Sequence, residues 1–75
     1  MSIAPRGTRT EPEKRLARVL RLLFALQQEQ LTRMALAQRF GVSERQVQRD
    51  LDALRAAGIQ LLHTRKGYRV TGWPN

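Results

Sequence analysis

The sequence predicts a mainly α domain in which three short helices precede a small β-hairpin. Three observations carry that expectation. Apolar residues recur at helical spacing from Leu16 to Leu54. Gly41 and Gly58 stand where helices of that pattern stop. After Gly58 the chain changes to short runs rich in β-branched and aromatic residues around Arg65-Lys66-Gly67. Seventy-five residues hold one small domain with a thin core.

Met1 to Arg9 mix Pro, Gly, Ser and Thr with two arginines and show no periodicity. They read as a flexible basic arm (residues 1–9), with the folded domain expected over 10–72 and a C-terminal tail over 73–75. Thr10-Glu11-Pro12-Glu13 matches a capping box, with Thr10 as N-cap of a first helix reaching about Gln28. Its inner stripe is read as Leu16, Leu20, Leu23 and Phe24, widened by Ala17 and Val19. Lys14, Arg18 and Arg21 line the opposite side, where Leu22 is expected to be exposed. Thr32 caps a second helix, Arg33 to Phe40, whose core face is Leu36, Ala37 and Phe40. Gly41 ends it, Val42 plugs the turn, and Ser43 is another strong N-cap with Gln46 three residues on. The third helix then runs from Glu44 to about Ala57, with Val47, Leu51 and Leu54 inward and Gly58 closing it. Residues 59–64 and 68–71 form the hairpin, with a doubly cationic, glycine-bearing tip.

Composition narrows the chemistry. Fourteen Lys+Arg against six Asp+Glu give a formal net charge of +8. Twelve of the cations are Arg, whose planar fork suits phosphates and base edges. Such an excess in a short chain points to a polyanionic partner. Absence of cysteine excludes disulfides and thiolate metal sites. One histidine and six carboxylates leave little for a metal cage. There is no nucleophile–base pair, no Gly-rich phosphate loop and no paired carboxylates at a plausible cleft, so an enzyme is not expected, nor a cofactor, a metal or a small-molecule ligand. No apolar run approaches the roughly 18 residues of a membrane span, and no signal-peptide core appears. A cytoplasmic, nucleoid-associated protein without membrane contact is expected.

The stretch Leu36 to Leu54, LAQRFGVSERQVQRDLDAL, joins two helices by a Gly-Val-Ser turn so short that they must cross steeply. That is helix-turn-helix geometry. At 100° per residue, burying Val47, Leu51 and Leu54 turns Arg45, Arg49 and Asp52 outward, with Gln46 and Gln48 flanking them. Arg binds guanine O6/N7 bidentately and Gln does the same for adenine N6/N7. Ser43, at the helix N-terminus, sits where a phosphate contact is natural.

The run LTRMALAQRFGVSERQVQRDLDALRAAGI followed by GYRV resembles the winged helix-turn-helix of DeoR-type and WYL-type bacterial transcriptional regulators. Their usual form is close to L-T-x-x-x-L-A-x-x-x-x-V-S-x-R-T-V-x-R-D-L-x-x-L-x-x-x-G-I, then a wing ending in G-Y-x-V/L. The resemblance covers roughly residues 16–71. It implies a DNA-facing set of Ser43, Arg45, Gln46, Gln48 and Arg49, with Arg65, Lys66 and Arg69 as wing contacts. Gln46 departs from the pattern, which usually has Thr there. The family normally continues into an effector domain whereas this chain stops at Asn75, so no ligand-sensing function is carried over.

Function is therefore expected to be sequence-specific binding of double-stranded DNA, as a small repressor or related regulator. The 44–57 helix would enter the major groove and the 65–69 wing would touch the flanking backbone. An architectural or recombination accessory factor would use the same contacts, and a winged-helix protein–protein adaptor of the transcription machinery is a third reading. A homodimer on a palindromic site, formed through helix 1, the arm or the Trp73 tail, would enlarge the small footprint of one module. Asp50 lies toward the core and is expected to pair with an arginine, Arg21 or Arg39. Asp52 faces out and would either orient an arginine or limit non-specific binding. Lys14, Arg18 and Arg21 are either a solvated face or phosphate contacts. His63 is expected to lie at the surface or pack on the strand rather than act as a ligand, and Tyr68 to anchor the hairpin on helix 3 with its hydroxyl near the rim. Trp73 is either a lid on the core or a contact with a second copy. Met34, like Leu22, is expected to be exposed.

Overall fold

The computed structural model describes residues 11–74. The basic arm, the Thr10 cap and Asn75 lie outside the described residues. Three helices, α1 (Glu11–Gln28), α2 (Arg33–Phe40) and α3 (Glu44–Ala56), are followed by strands β1 (Gln60–Thr64) and β2 (Gly67–Gly72). This is the predicted fold: mainly helical, with a two-stranded antiparallel hairpin as the wing of a helix-turn-helix.

The capping residues act as read. Thr32 Oγ1 accepts from the Ala35 amide at 3.0 Å, and Ser43 Oγ from the Gln46 amide at 3.0 Å. Gly41 adopts the left-handed conformation (φ 66°) that stops α2, with the Val42 amide reaching back to the Ala37 carbonyl at 3.1 Å. At the end of α3 the Gly58 amide bonds the Arg55 carbonyl (2.9 Å) and the Ile59 amide bonds the Leu54 carbonyl (3.0 Å). Ile59 and Leu54 are both buried, the apolar contact that accompanies this paired-bond helix ending.

The hairpin holds an addition that the sequence did not announce. Leu31 pairs with Tyr68 as an antiparallel bridge, its amide donating to the Tyr68 carbonyl (3.0 Å) and its carbonyl accepting from the Tyr68 amide (2.6 Å). The α1–α2 connection thus acts as a one-residue third strand. Gly67, at φ 118°, is pressed against the Leu31–Thr32 backbone so closely that no Cβ fits. Gln30 reinforces the junction by donating to Thr64 Oγ1 (2.7 Å) and to the Gly67 carbonyl (2.9 Å). Gly67 therefore opens β2, and the loop is Arg65-Lys66 alone, between the paired residues Thr64 and Gly67. Thr71 is the extra residue of a bulge opposite Gln60 and Leu61.

The core differs from expectation on α1. Leu22, Leu23 and Leu26 are buried, whereas Leu16, Leu20 and Phe24 are exposed. The predicted stripe is thus rotated, and Leu22, expected outside, is at the centre of the core together with Leu36, Val47 and Leu51, all at 0% exposure. The cause is Asp50. It sits on the inner face of α3 beside Val47, Leu51 and Leu54 and is itself fully buried. Arg18 supplies its counter-charge, Nε donating to Oδ2 at 2.7 Å and Nη2 to Oδ1 at 3.3 Å. Arg15 adds a second cation at 3.6 Å. Neither Arg21 nor Arg39 is the partner; Arg39 pairs with Glu29 instead. Facing Arg18 toward α3 carries Leu22 and Leu26, one and two turns further on, into the core. Val42, expected as a buried plug, is half-buried, and Met34 is exposed as expected.

Candidate nucleic-acid interface

Helix α3 is held on both flanks. On the α1 side Gln46 donates to Asp50 Oδ1 at 3.0 Å, completing the shell around that carboxylate. On the wing side Gln48 joins three elements. Its amide donates to Asp52 Oδ1 (3.0 Å), while its carbonyl oxygen accepts from Arg33 Nη1 of α2 (2.9 Å) and from the Tyr68 hydroxyl of β2 (3.4 Å). Arg33 is also paired with Glu44 at 3.3 Å. Tyr68 is buried, as the sequence suggested, with His63 stacked on it at 4.0 Å and 5° between planes. The Arg55 guanidinium lies 5.7 Å from the same ring, within cation–π range. Asp52 is 4.0 Å from Arg55, so it does orient an arginine as well as the Gln48 amide.

Between these braced flanks Arg45 and Arg49 project from α3, both exposed, and neither makes a hydrogen bond or ion pair with another described residue. The side chains of Arg65, Lys66 and Arg69 on the wing are likewise exposed and without a charged partner among the described residues. Every acid on α3 is already engaged: Glu44 with Arg33, Asp50 with Arg18 and Arg15, Asp52 with Gln48 and Arg55. The helix thus offers two cations that no local carboxylate neutralises. A cleft of about 300 Å³ runs between the wing and the starts of α2 and α3, lined by Arg33, Glu44, His63 and Arg65 among others.

A family model for an HTH domain matches residues 15–69, which is most of the chain. The chain belongs to this family of helix-turn-helix DNA-binding domains. No curated protein matches it.

Within the helix-turn-helix domain, the eight residues singled out from sequence fall into three groups. Arg45 and Arg49 share one outward face of α3, with Ser43 at its start. Arg65, Lys66 and Arg69 share the wing. Gln46 and Gln48 are half-buried and hydrogen-bonded within the domain, so the structure does not bring them onto the outer face with the arginines. Arg33 was missed as a neighbour of this surface. The signal for it was the Thr32 cap, which places residue 33 in the first turn of α2, next to α3. Lys14, Arg18 and Arg21 form an edge of α1 facing Phe40 and Val42 around a second cleft of about 250 Å³. Arg18 there is committed to Asp50 and only partly exposed. Among the described residues no group of three or more His, Asp or Glu side chains is placed to hold a metal, and no helix is long and apolar enough to cross a membrane.

Proposed function

We propose that this chain is a sequence-specific double-stranded DNA-binding regulator of transcription, of the DeoR- or WYL-type winged helix-turn-helix kind, acting as a repressor by occupying its site. The observation that carries this reading is the pair Arg45 and Arg49, unpaired on a helix whose own acids are all satisfied. Helix α3 lies in the major groove. The two guanidiniums read base edges there, while Asp50, paired with α1, and Gln48, bonded to α2 and the wing, hold the helix at its working angle. Ser43, at the first turn of α3, approaches a phosphate. Arg65 and Lys66 at the wing loop and Arg69 behind it contact the flanking backbone, with one phosphate strand following the cleft between wing and helix.

The spacing has a consequence for sequence. Four residues of helix rise about 6 Å, close to two base-pair steps of about 3.4 Å, and an exposed Arg prefers guanine O6/N7. Selection of bound fragments from random duplex DNA, repeated at two salt concentrations, is expected to recover a motif with two guanines about two steps apart. Recovery of no motif, with binding insensitive to sequence, would remove the regulator reading and leave an architectural one.

A further inference from the structure

Helix α1 carries more apolar surface than the core uses. Leu22, Leu23 and Leu26 are buried, but Leu16, Leu20 and Phe24 are 60%, 44% and 59% exposed. Spaced four residues apart, they turn by about 40° per step and form one ridge along the helix. Together they expose roughly 300 Å² of apolar area, the size at which a patch on a small domain is often functional. We propose that this ridge is the seam of a homodimer, in which α1 packs antiparallel on α1 of a second copy about a two-fold axis at Leu20.

Three features favour a second copy as the occupant. The ridge is symmetric about Leu20, so antiparallel packing sets Leu20 on Leu20 and Leu16 of each copy on Phe24 of the other. That is the self-complementarity a two-fold contact requires. Secondly, a chain of net charge +8 repels its copy unless the contact is free of cations, and this ridge has none. Arg15 and Arg18 turn to Asp50, while Lys14 and Arg21 line the cleft beside Phe40 and Val42. Finally, the ten residues before Glu11 hold only Met1 and Ile3 as large apolar side chains, together with two arginines, too little to cover three exposed ones.

The size sets the strength. Two such ridges bury roughly 600 Å² of apolar surface, below the ~1,200–2,000 Å² of a standard stable complex. The dimer is therefore weak and reversible, in the micromolar to millimolar range. It does not depend on the DNA reading, because it is measured without DNA.

Sedimentation of the full chain from about 10 μM to 1 mM tests it, together with crosslinking. The wild type is expected to show a monomer–dimer equilibrium. Leu20→Glu sets two carboxylates against each other at the axis and should weaken dimerisation at least tenfold, with helical content and melting unchanged because Leu20 is already half exposed. The natural chain has no cysteine, so single-cysteine variants report geometry cleanly. Leu20→Cys should form a disulfide-linked dimer on its own, whereas Leu16→Cys and Phe24→Cys should crosslink only when mixed. A chain monomeric over the whole range, a dimer indifferent to Leu20→Glu, or no crosslink through Leu20→Cys would overturn the proposal.

Discussion

Asp50 offers the sharpest test of how the helix-turn-helix is held. The carboxylate is fully buried and receives two hydrogen bonds from Arg18, one from Gln46 and a further cation from Arg15. Asp50→Ala deletes all of these at once and takes the Asp50 carboxylate away from the partly buried Arg18 guanidinium. Removing one partner of a buried pair costs about 3–5 kcal/mol. Arg18 retains 19% exposure, so water relieves part of the penalty and the lower end, about 3 kcal/mol, applies. A domain of this size is stable by only about 4–11 kcal/mol in total. At roughly 4–8 °C per kcal/mol, the melting temperature should fall by about 12–24 °C. Thermal and urea unfolding followed by far-UV circular dichroism measure the loss. A double-mutant cycle with Arg18→Ala should show a coupling of at least about 1 kcal/mol. A loss under about 1 kcal/mol, or additive effects of the two substitutions, would refute the view that this pair fixes α1 against α3.

Other outcomes follow from the same contacts. Leu22→Ala empties a fully buried site and should cost about 3–5 kcal/mol, whereas Leu16→Ala, at a site 60% exposed, should cost under about 1 kcal/mol in the monomer. Urea titrations of the two variants give the comparison, and equal losses would mean that α1 is rotated back. Gly67→Ala meets the Leu31–Thr32 backbone and a positive φ together, while Gly41→Ala meets only the positive φ in open space. The first should destabilise by more than about 2 kcal/mol and loosen the wing, the second by about 1 kcal/mol. Binding to duplex DNA should weaken with salt, log K falling with log salt at a slope of about −5 to −7 for six to eight phosphate contacts. Arg65→Ala with Lys66→Ala should flatten that slope by about 2 without changing base preference.

Helix limits were legible because the residues that set them act locally. Thr32 and Ser43 bond their own third-following amides, and Gly41 needs only its own left-handed φ. The rotation of α1 was not legible from its hydropathy, since Leu16, Leu20 and Phe24 form as good a stripe as Val19, Leu22 and Leu26. Tertiary charge decided between them. Asp50 stands among the inward residues of α3, and its need for a cation selects the face of α1 that carries Arg15 and Arg18. Reading Arg15, Arg18, Leu22 and Leu26 as one stripe would have found the correct face. The Leu31–Tyr68 bridge escaped because a single paired residue has no periodicity. On the outer face of α3, angular counting placed Arg45 and Arg49 outward, as they are. It did not register that Gln46 and Gln48 are held by acids one turn on, Asp50 and Asp52, and it could not show that Gln48 also meets Arg33 of α2 and Tyr68 of the wing, because those contacts join residues distant in the chain.

The proposed base readout rests on two guanidiniums, and their removal is the most direct trial of it. Equilibrium binding of wild type and the Arg45→Ala, Arg49→Ala double variant should be compared on a duplex recovered by selection and on a scrambled duplex, at one fixed salt concentration. Both substitutions lie at exposed, unpartnered positions, so melting should be unchanged. The expected result is a loss of about 2–5 kcal/mol on the selected duplex and little loss on the scrambled one. A folded double variant that keeps both its affinity and its preference for the selected sequence would contradict the assignment of α3 as the reading helix.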